Sequence, residues 1–181
     1  MANNFEANSS RSHLHSDVGS GNLGNVLQRL NKSLQRDSLV QTTIADLRLF
    51  LQADRVLLYY FYSEWKGQVT FESLSNGEFS IFGSTGPDAC FTEEYAALYL
   101  AGRVRAIPDI ETEPIDSCHR DFLRNLRVKA NLVVPIVTSG GLWGLLVAHH
   151  CRGSKVWTQT EIEQMKAGAK MIASSSLLNQ H

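Results

Sequence analysis

The stretch "ANLVVPIVTSGGLWGLLVAHHC", Ala130–Cys151, carries the clearest fold signal in the chain. Two apolar runs are joined by Ser139-Gly140-Gly141, the chemistry of a β-hairpin turn. Side chains on a strand alternate faces, so Leu145, Val147 and His149 share one side and His150 points to the other. Pro135 has no N–H to offer a neighbouring strand, which predicts a bulge or an edge there.

Upstream, Cys118 to Leu126 reads as a short helix with Phe122, Leu123 and Leu126 facing inward and Asp116 or Ser117 as its cap. It follows the loop "PDIETEPIDS", whose two prolines and four acids make it exposed. Before that loop come the brief strand "RVRAI" and the helix "TEEYAALYLAG", Thr92–Gly102, with Thr92 as cap and Gly102 as stop. "DRVLLYYFY", Asp54–Tyr62, and "GQVTFESL", Gly67–Leu74, are two further strands, with turn chemistry at Lys66-Gly67 and Asn76-Gly77. Downstream, Thr158-Gln159-Thr160-Glu161 is a capping box opening a helix to about Leu178. Leu27, Leu30 and Leu34, then Val40, Ile44, Leu47 and Leu51, recur at helical spacing, and Asp37-Ser38 predicts a break between two helices. The order implies one antiparallel α+β domain over residues 25–181, with the terminal helices on one sheet face. Residues 1–24, polar and rich in Ser, Asn and Gly, read as a flexible arm, either native or appended.

The chain has 181 residues, 43% hydrophobic and 19% charged, enough for one core without staples. Seventeen Lys and Arg against eighteen Asp and Glu give a net charge of −1, which argues against nucleic acid as a partner. The N-terminal stretch lacks the basic start and apolar run expected of a signal peptide, and no apolar run has the length of a membrane span. Three cysteines without an export signal point to the cytoplasm, which makes a disulfide the weakest reading of them.

Cys90, in "PDACF", and Cys118, in "IDSCHRDF", each follow closely on an aspartate. Neither has a second thiol nearby, and adjacent pairs such as Cys118-His119 or His149-His150 diverge on a helix or strand, so a metal site is a poor reading. A sulfur in the first turn of the Cys118 helix would be favoured as thiolate by the helix dipole, with Asp116 opposing. A small buried hydrophobe is the alternative for each cysteine, and the expected one for Cys151.

The run "CHRDFLRNLRVKANLVVPIV…GLWGLLVAHHC", together with "DACF", resembles the GAF domain of a cyanobacteriochrome, a bilin photoreceptor of the phytochrome superfamily, in its dual-cysteine Asp-x-Cys-Phe subgroup. The resemblance spans roughly Asp37 to Leu178. It implies a central antiparallel sheet with the N- and C-terminal helices on one face and the chromophore pocket on the other. It further implies that Cys118 forms a permanent thioether to ring A of a linear tetrapyrrole, phycocyanobilin or its isomer phycoviolobilin. Cys90 would add reversibly at C10, giving a violet- or blue-absorbing state, and would leave after C15=C16 isomerisation to give a green-to-red one. By the same resemblance Asp88 and His119 contact the pyrrole system, Arg103 holds a propionate with Arg105 as the alternative, and His149 lines the pocket. Tyr95 and Phe91 are expected as aromatic walls. The chain is then the sensory module of a larger protein, with downstream signalling domains and a homodimer through the terminal helices among its expected partners. It would not be an enzyme beyond attaching, and in some relatives isomerising, its own bilin. Two competing readings are a GAF-fold reductase of free methionine sulfoxide, which needs two thiols within disulfide reach, and a non-covalent small-molecule binder, which needs neither.

Overall fold

The computed structural model describes residues 18–63, 66–86 and 93–175, of which 18–23, 32 and 93 are described by backbone alone. The strands are β1 (Arg55–Ser63), β2 (Lys66–Leu74), β3 (Arg105–Ile107), β4 (Ala130–Thr138) and β5 (Gly141–His150). They form an antiparallel sheet in the order β2-β1-β5-β4-β3. The helices are α1 (Val18–Leu51), α2 (Glu93–Leu100), α3 (Ser117–Asn125) and α4 (Gln159–Ser174).

Strand alternation sorts the core into two layers. Val56 and Leu58 of β1, Leu132, Val134 and Ile136 of β4, and Leu146 and Ala148 of β5 pack against Val40, Ile44, Leu47 and Leu51 of α1 and Met165, Ala169 and Ile172 of α4. The opposite set, Leu57, Val133, Leu145 and Val147, meets Tyr99 of α2. The terminal helices therefore share one face, and the other is left to the loops and short helices. Neighbouring elements approach closely at two glycines. A Cβ on Gly144 would stand 2.7 Å from the backbone oxygen of Tyr59, and one on Gly168 would stand 2.7 Å from Leu47 Cδ1 between α1 and α4.

Local chemistry accounts for the element ends. Thr158 and Glu161 make both halves of the capping box at α4. Gly102, at φ +87°, takes the left-handed conformation that ends α2, its N–H donating to Tyr99 O at 2.9 Å. β3 reaches only Asn131–Val133, so Pro135 lies on an open edge of β4, and a register shift follows between Ile136 and Val137.

Two expectations are corrected. There is no helix break at Asp37-Ser38: α1 runs unbroken, and it begins at Val18, inside the stretch read as an arm. The two leucine stripes are out of phase because their surroundings differ. Leu27, Leu30 and Leu34 are 54–60% exposed, and the buried stripe starts at Val40, where the helix meets the sheet. Asp116 occupies the N-cap position of α3 but makes no side-chain capping bond. Thr92, the cap expected for α2, lies outside the described residues. Among the described residues no helix is long and apolar enough to cross a membrane, and no His/Cys/Asp/Glu cluster has metal-site geometry.

Candidate functional site

The sheet face opposite α1 and α4 carries a cavity of about 300 Å³, within the range of small-molecule pockets. Its floor is the alternating set Leu57, Val133, Leu145 and Val147. Tyr95, Tyr99 and Arg103 reach it from α2 and the turn after it, Arg105 from β3, and Asp116, His119 and Phe122 from α3 and its start. The apolar face of α3 holds it in place: Leu123 and the partly buried Phe122 and Leu126 pack with Ile107, Ile110 and Val128.

One side of the cavity is cationic. The Arg103 guanidinium lies 5.6 Å from the Tyr95 ring centroid, a cation–π contact. Arg105 Nη2 is 3.0 Å from the Glu113 carboxylate, at partial exposure. Burial, with the charge of Arg105 and then Arg103, lowers the His119 pKa, while Asp116 acts in the opposite sense. Burial pushes the Tyr99 hydroxyl up to about 12.

The other end is built on β1, β5 and β4. Arg55 is 1% exposed, and its Nε lies 3.0 Å from His149 Nδ1. Burial and this guanidinium together hold the His149 pKa well below the ordinary histidine value. Asn131 pairs with His149 across β4 and β5 and is 2% exposed, and its Oδ1 has no hydrogen-bond partner. At the mouth, Tyr59 Oη donates to Gly67 O and accepts from Gly86 N–H, both at 2.8 Å, tying β2 to the segment that follows it.

Of the residues singled out in the sequence, Arg103, His119, His149 and Tyr95 all line this one cavity. Cys118 is exposed in the first turn of α3, next to His119. Cys90, Asp88 and Phe91 lie outside the described residues. The low rank given to a disulfide is corrected at Cys118, whose sulfur is disulfide-bonded to a partner outside the described residues. Cys151 is a free, buried thiol with its pKa raised by burial, as expected of a small hydrophobe. Arg55, Asn131, Tyr59 and Tyr99 were not singled out. The only signal available for Asn131 was its register: it shares the inward face with Val133 in an otherwise apolar strand.

Residues 35–175 match the GAF domain family. An uncharacterised protein of Picosynechococcus is 50% identical over 83% of this chain and 93% of its own length. The circadian input-output histidine kinase CikA of Synechocystis is 29% identical over 77% of this chain, which corresponds to only 22% of that kinase. Among solved structures, the blue-light absorbing form of the Thermosynechococcus elongatus PixJ GAF domain superposes with a TM-score of 0.72 at 34% identity, covering 80% of this chain and 88% of that one. A phycocyanobilin-bound GAF domain from a cyanobacterial phytochrome gives a TM-score of 0.70 at 30% identity, covering 88% of this chain and 93% of that one. The chain belongs to the GAF domain family, among the cyanobacteriochrome GAF domains of the phytochrome superfamily.

Proposed function

We propose that this chain is a photoreceptor module that holds a linear tetrapyrrole in the cavity on the free face of the sheet. In this reading Cys118 is the permanent attachment point and Cys90 the reversible second thiol, so the module switches between a violet- or blue-absorbing state and a green-to-red one. The observation that carries the reading is the cavity itself: an apolar floor with two guanidinium groups on one side, next to a cysteine-bearing helix. Its residues fit the group. Arg103 and Arg105 suit propionate carboxylates, since a guanidinium can donate two parallel hydrogen bonds to a carboxylate. Arg105 would exchange its Glu113 partner for the ligand. His119, whose pKa burial and the neighbouring Arg105 charge lower, is suited to approach pyrrole nitrogens from α3. The unfilled acceptor of Asn131 calls for an N–H donor from a ligand. The bound tetrapyrrole supplies the light absorption and the C15=C16 isomerisation. Phycocyanobilin, with or without conversion to phycoviolobilin, is the chromophore proposed, and output domains of a longer protein are the proposed partners.

Attachment requires a free Cys118 thiol, so it should depend on reductant. Expression in cells that make phycocyanobilin, followed by a denaturing gel with zinc-induced fluorescence, tests the assignment. The protein should carry a covalent fluorescent bilin, and Cys118→Ala should lose nearly all of it. A wild-type protein purified without bilin from such cells would overturn the proposal. The disulfide at Cys118 also favours a second reading, the reductase of free methionine sulfoxide, which works through such a bond. Thiol-dependent turnover of methionine sulfoxide by the colourless protein would support that reading.

A further inference from the structure

The two arginines on the cationic side of the cavity are not equivalent. Arg103 has the Tyr95 ring beside it and no carboxylate partner among the described residues. Arg105 is already paired: its Nη2 lies 3.0 Å from the Glu113 carboxylate, and both side chains are partly buried. Arg105 lines the cavity and Glu113 does not. The carboxylate therefore reaches the guanidinium from the loop between β3 and α3.

That loop is fastened on both sides of the pair. Arg120 of α3 donates from Nε to Ile110 O and from Nη2 to Glu113 O, each at 2.8 Å. The Glu113 N–H donates to Asp109 O at 3.0 Å, and the Glu113 carbonyl also accepts from the Ile115 N–H at 2.9 Å. Arg105 is fixed in register with Val133 of β4. Pairing thus costs little backbone freedom. The Glu113 carboxylate meets an incoming anion as a tethered competitor, at the effective concentration of a short tether.

Charge decides the consequence. Of the two guanidinium charges, Glu113 offsets one. A ligand carboxylate at Arg105 must displace Glu113 or share the guanidinium with it, and two carboxylates on one guanidinium repel each other. A neutral ligand meets no such cost.

We propose that Glu113 is a specificity-determining residue, a resident counter-ion on Arg105 that sets how strongly the cavity prefers carboxylate-bearing ligands over neutral ones. Arg103 is the unguarded anion position and Arg105 the guarded one, so a second carboxylate on the same ligand pays to enter. Applied to a tetrapyrrole with its two propionates, the proposal rests on the tetrapyrrole reading. The counter-ion role does not, since it holds for any apolar anion that enters.

Binding of phycocyanobilin and of its dimethyl ester to the full chain in a Cys118→Ser background tests the role. Glu113→Gln keeps the shape of the side chain and removes its charge. It should tighten binding of the free acid about fivefold, which is about 1 kcal/mol and the upper end for an exposed ion pair. Binding of the ester should stay unchanged. The gain should vanish in an Arg105→Gln background and persist in an Arg103→Gln one, a pattern that general loosening of the loop would not give. Unchanged or weakened binding of the acid, equal tightening of acid and ester, or a gain that survives Arg105→Gln overturns the role. Binding of 2-naphthoate against 2-naphthamide, followed by ligand NMR, runs the same comparison without a tetrapyrrole. Glu113→Gln should favour the naphthoate alone, and an equal response of the two overturns the role. If neither form of phycocyanobilin binds the Cys118→Ser protein, the tetrapyrrole reading falls, and the naphthoate comparison decides Glu113 by itself.

Discussion

His149 is 4% exposed, and its folded pKa lies well below 6.5. In the unfolded chain the ring takes up a proton near 6.5 and in the folded chain only at much lower pH. The unfolded state therefore binds more protons below 6.5, and stability falls as pH drops through that value. One imidazole contributes a slope of about 1.4 kcal/mol per pH unit, and His119, shifted the same way, adds to it. Chemical denaturation between pH 7 and 5 should show this loss, and His149→Gln should flatten it. An unchanged slope in that variant would mean that other groups dominate. His149 was legible as a pocket residue because strand alternation aligns it with Leu145 and Val147. Arg55 was not. At the start of "RVLLYYFYS" an arginine reads as a strand end in solvent, and its burial under Phe79 and Leu126 depends on segments 24 and 71 residues away. Asn131 was missed for a related reason: an unpaired oxygen exists only once the neighbouring strands are in place.

Among the elements, the hairpin β4–β5 and the helix α4 were the most legible, because their signals are local: a Ser-Gly-Gly turn, period-two apolar runs and a capping box. Thr158→Ala, which removes one half of that box, should cost about 1 kcal/mol. A lowered denaturation midpoint with an unchanged slope would verify it. Gly144→Ala should cost more, about 1–3 kcal/mol, because the added carbon meets the Tyr59 backbone oxygen and no flexible side chain can yield. Gly168→Ala should be milder, since its nearest neighbour is the end of the Leu47 side chain. If the two variants proved equally stable, the close β1–β5 approach would be wrong. The continuity of α1 was the least legible. Asp37 and Ser38 are good caps, but they also sit comfortably mid-helix when exposed, and Arg36 pairs with Asp37 there. The phase change in the leucines records where the sheet begins, not where a helix ends.

The whole molecule is two faces of one sheet with separate duties. The α1/α4 face holds the larger part of the core, and the opposite face carries the cavity with its polar lining. This division follows from alternation in β1, β4 and β5, so it could be read from the sequence. The distribution of charge around the cavity could not, because it depends on how α2 and α3 dock. Core truncation and pocket substitution should therefore separate. Leu58→Ala should cost about 2–5 kcal/mol and leave the colours of the surviving folded protein unchanged. Arg103→Ala should shift or weaken chromophore binding and change the melting temperature of the ligand-free protein little.

The central claim is tested most directly by difference spectroscopy of the phycocyanobilin-loaded protein under alternating illumination. The account predicts that a violet or blue band bleaches as a green-to-red band grows, reversibly. It also predicts that Cys90→Ala keeps the covalent bilin but loses the short-wavelength state. A loaded protein with no reversible change, or a blue state that survives Cys90→Ala, would contradict it.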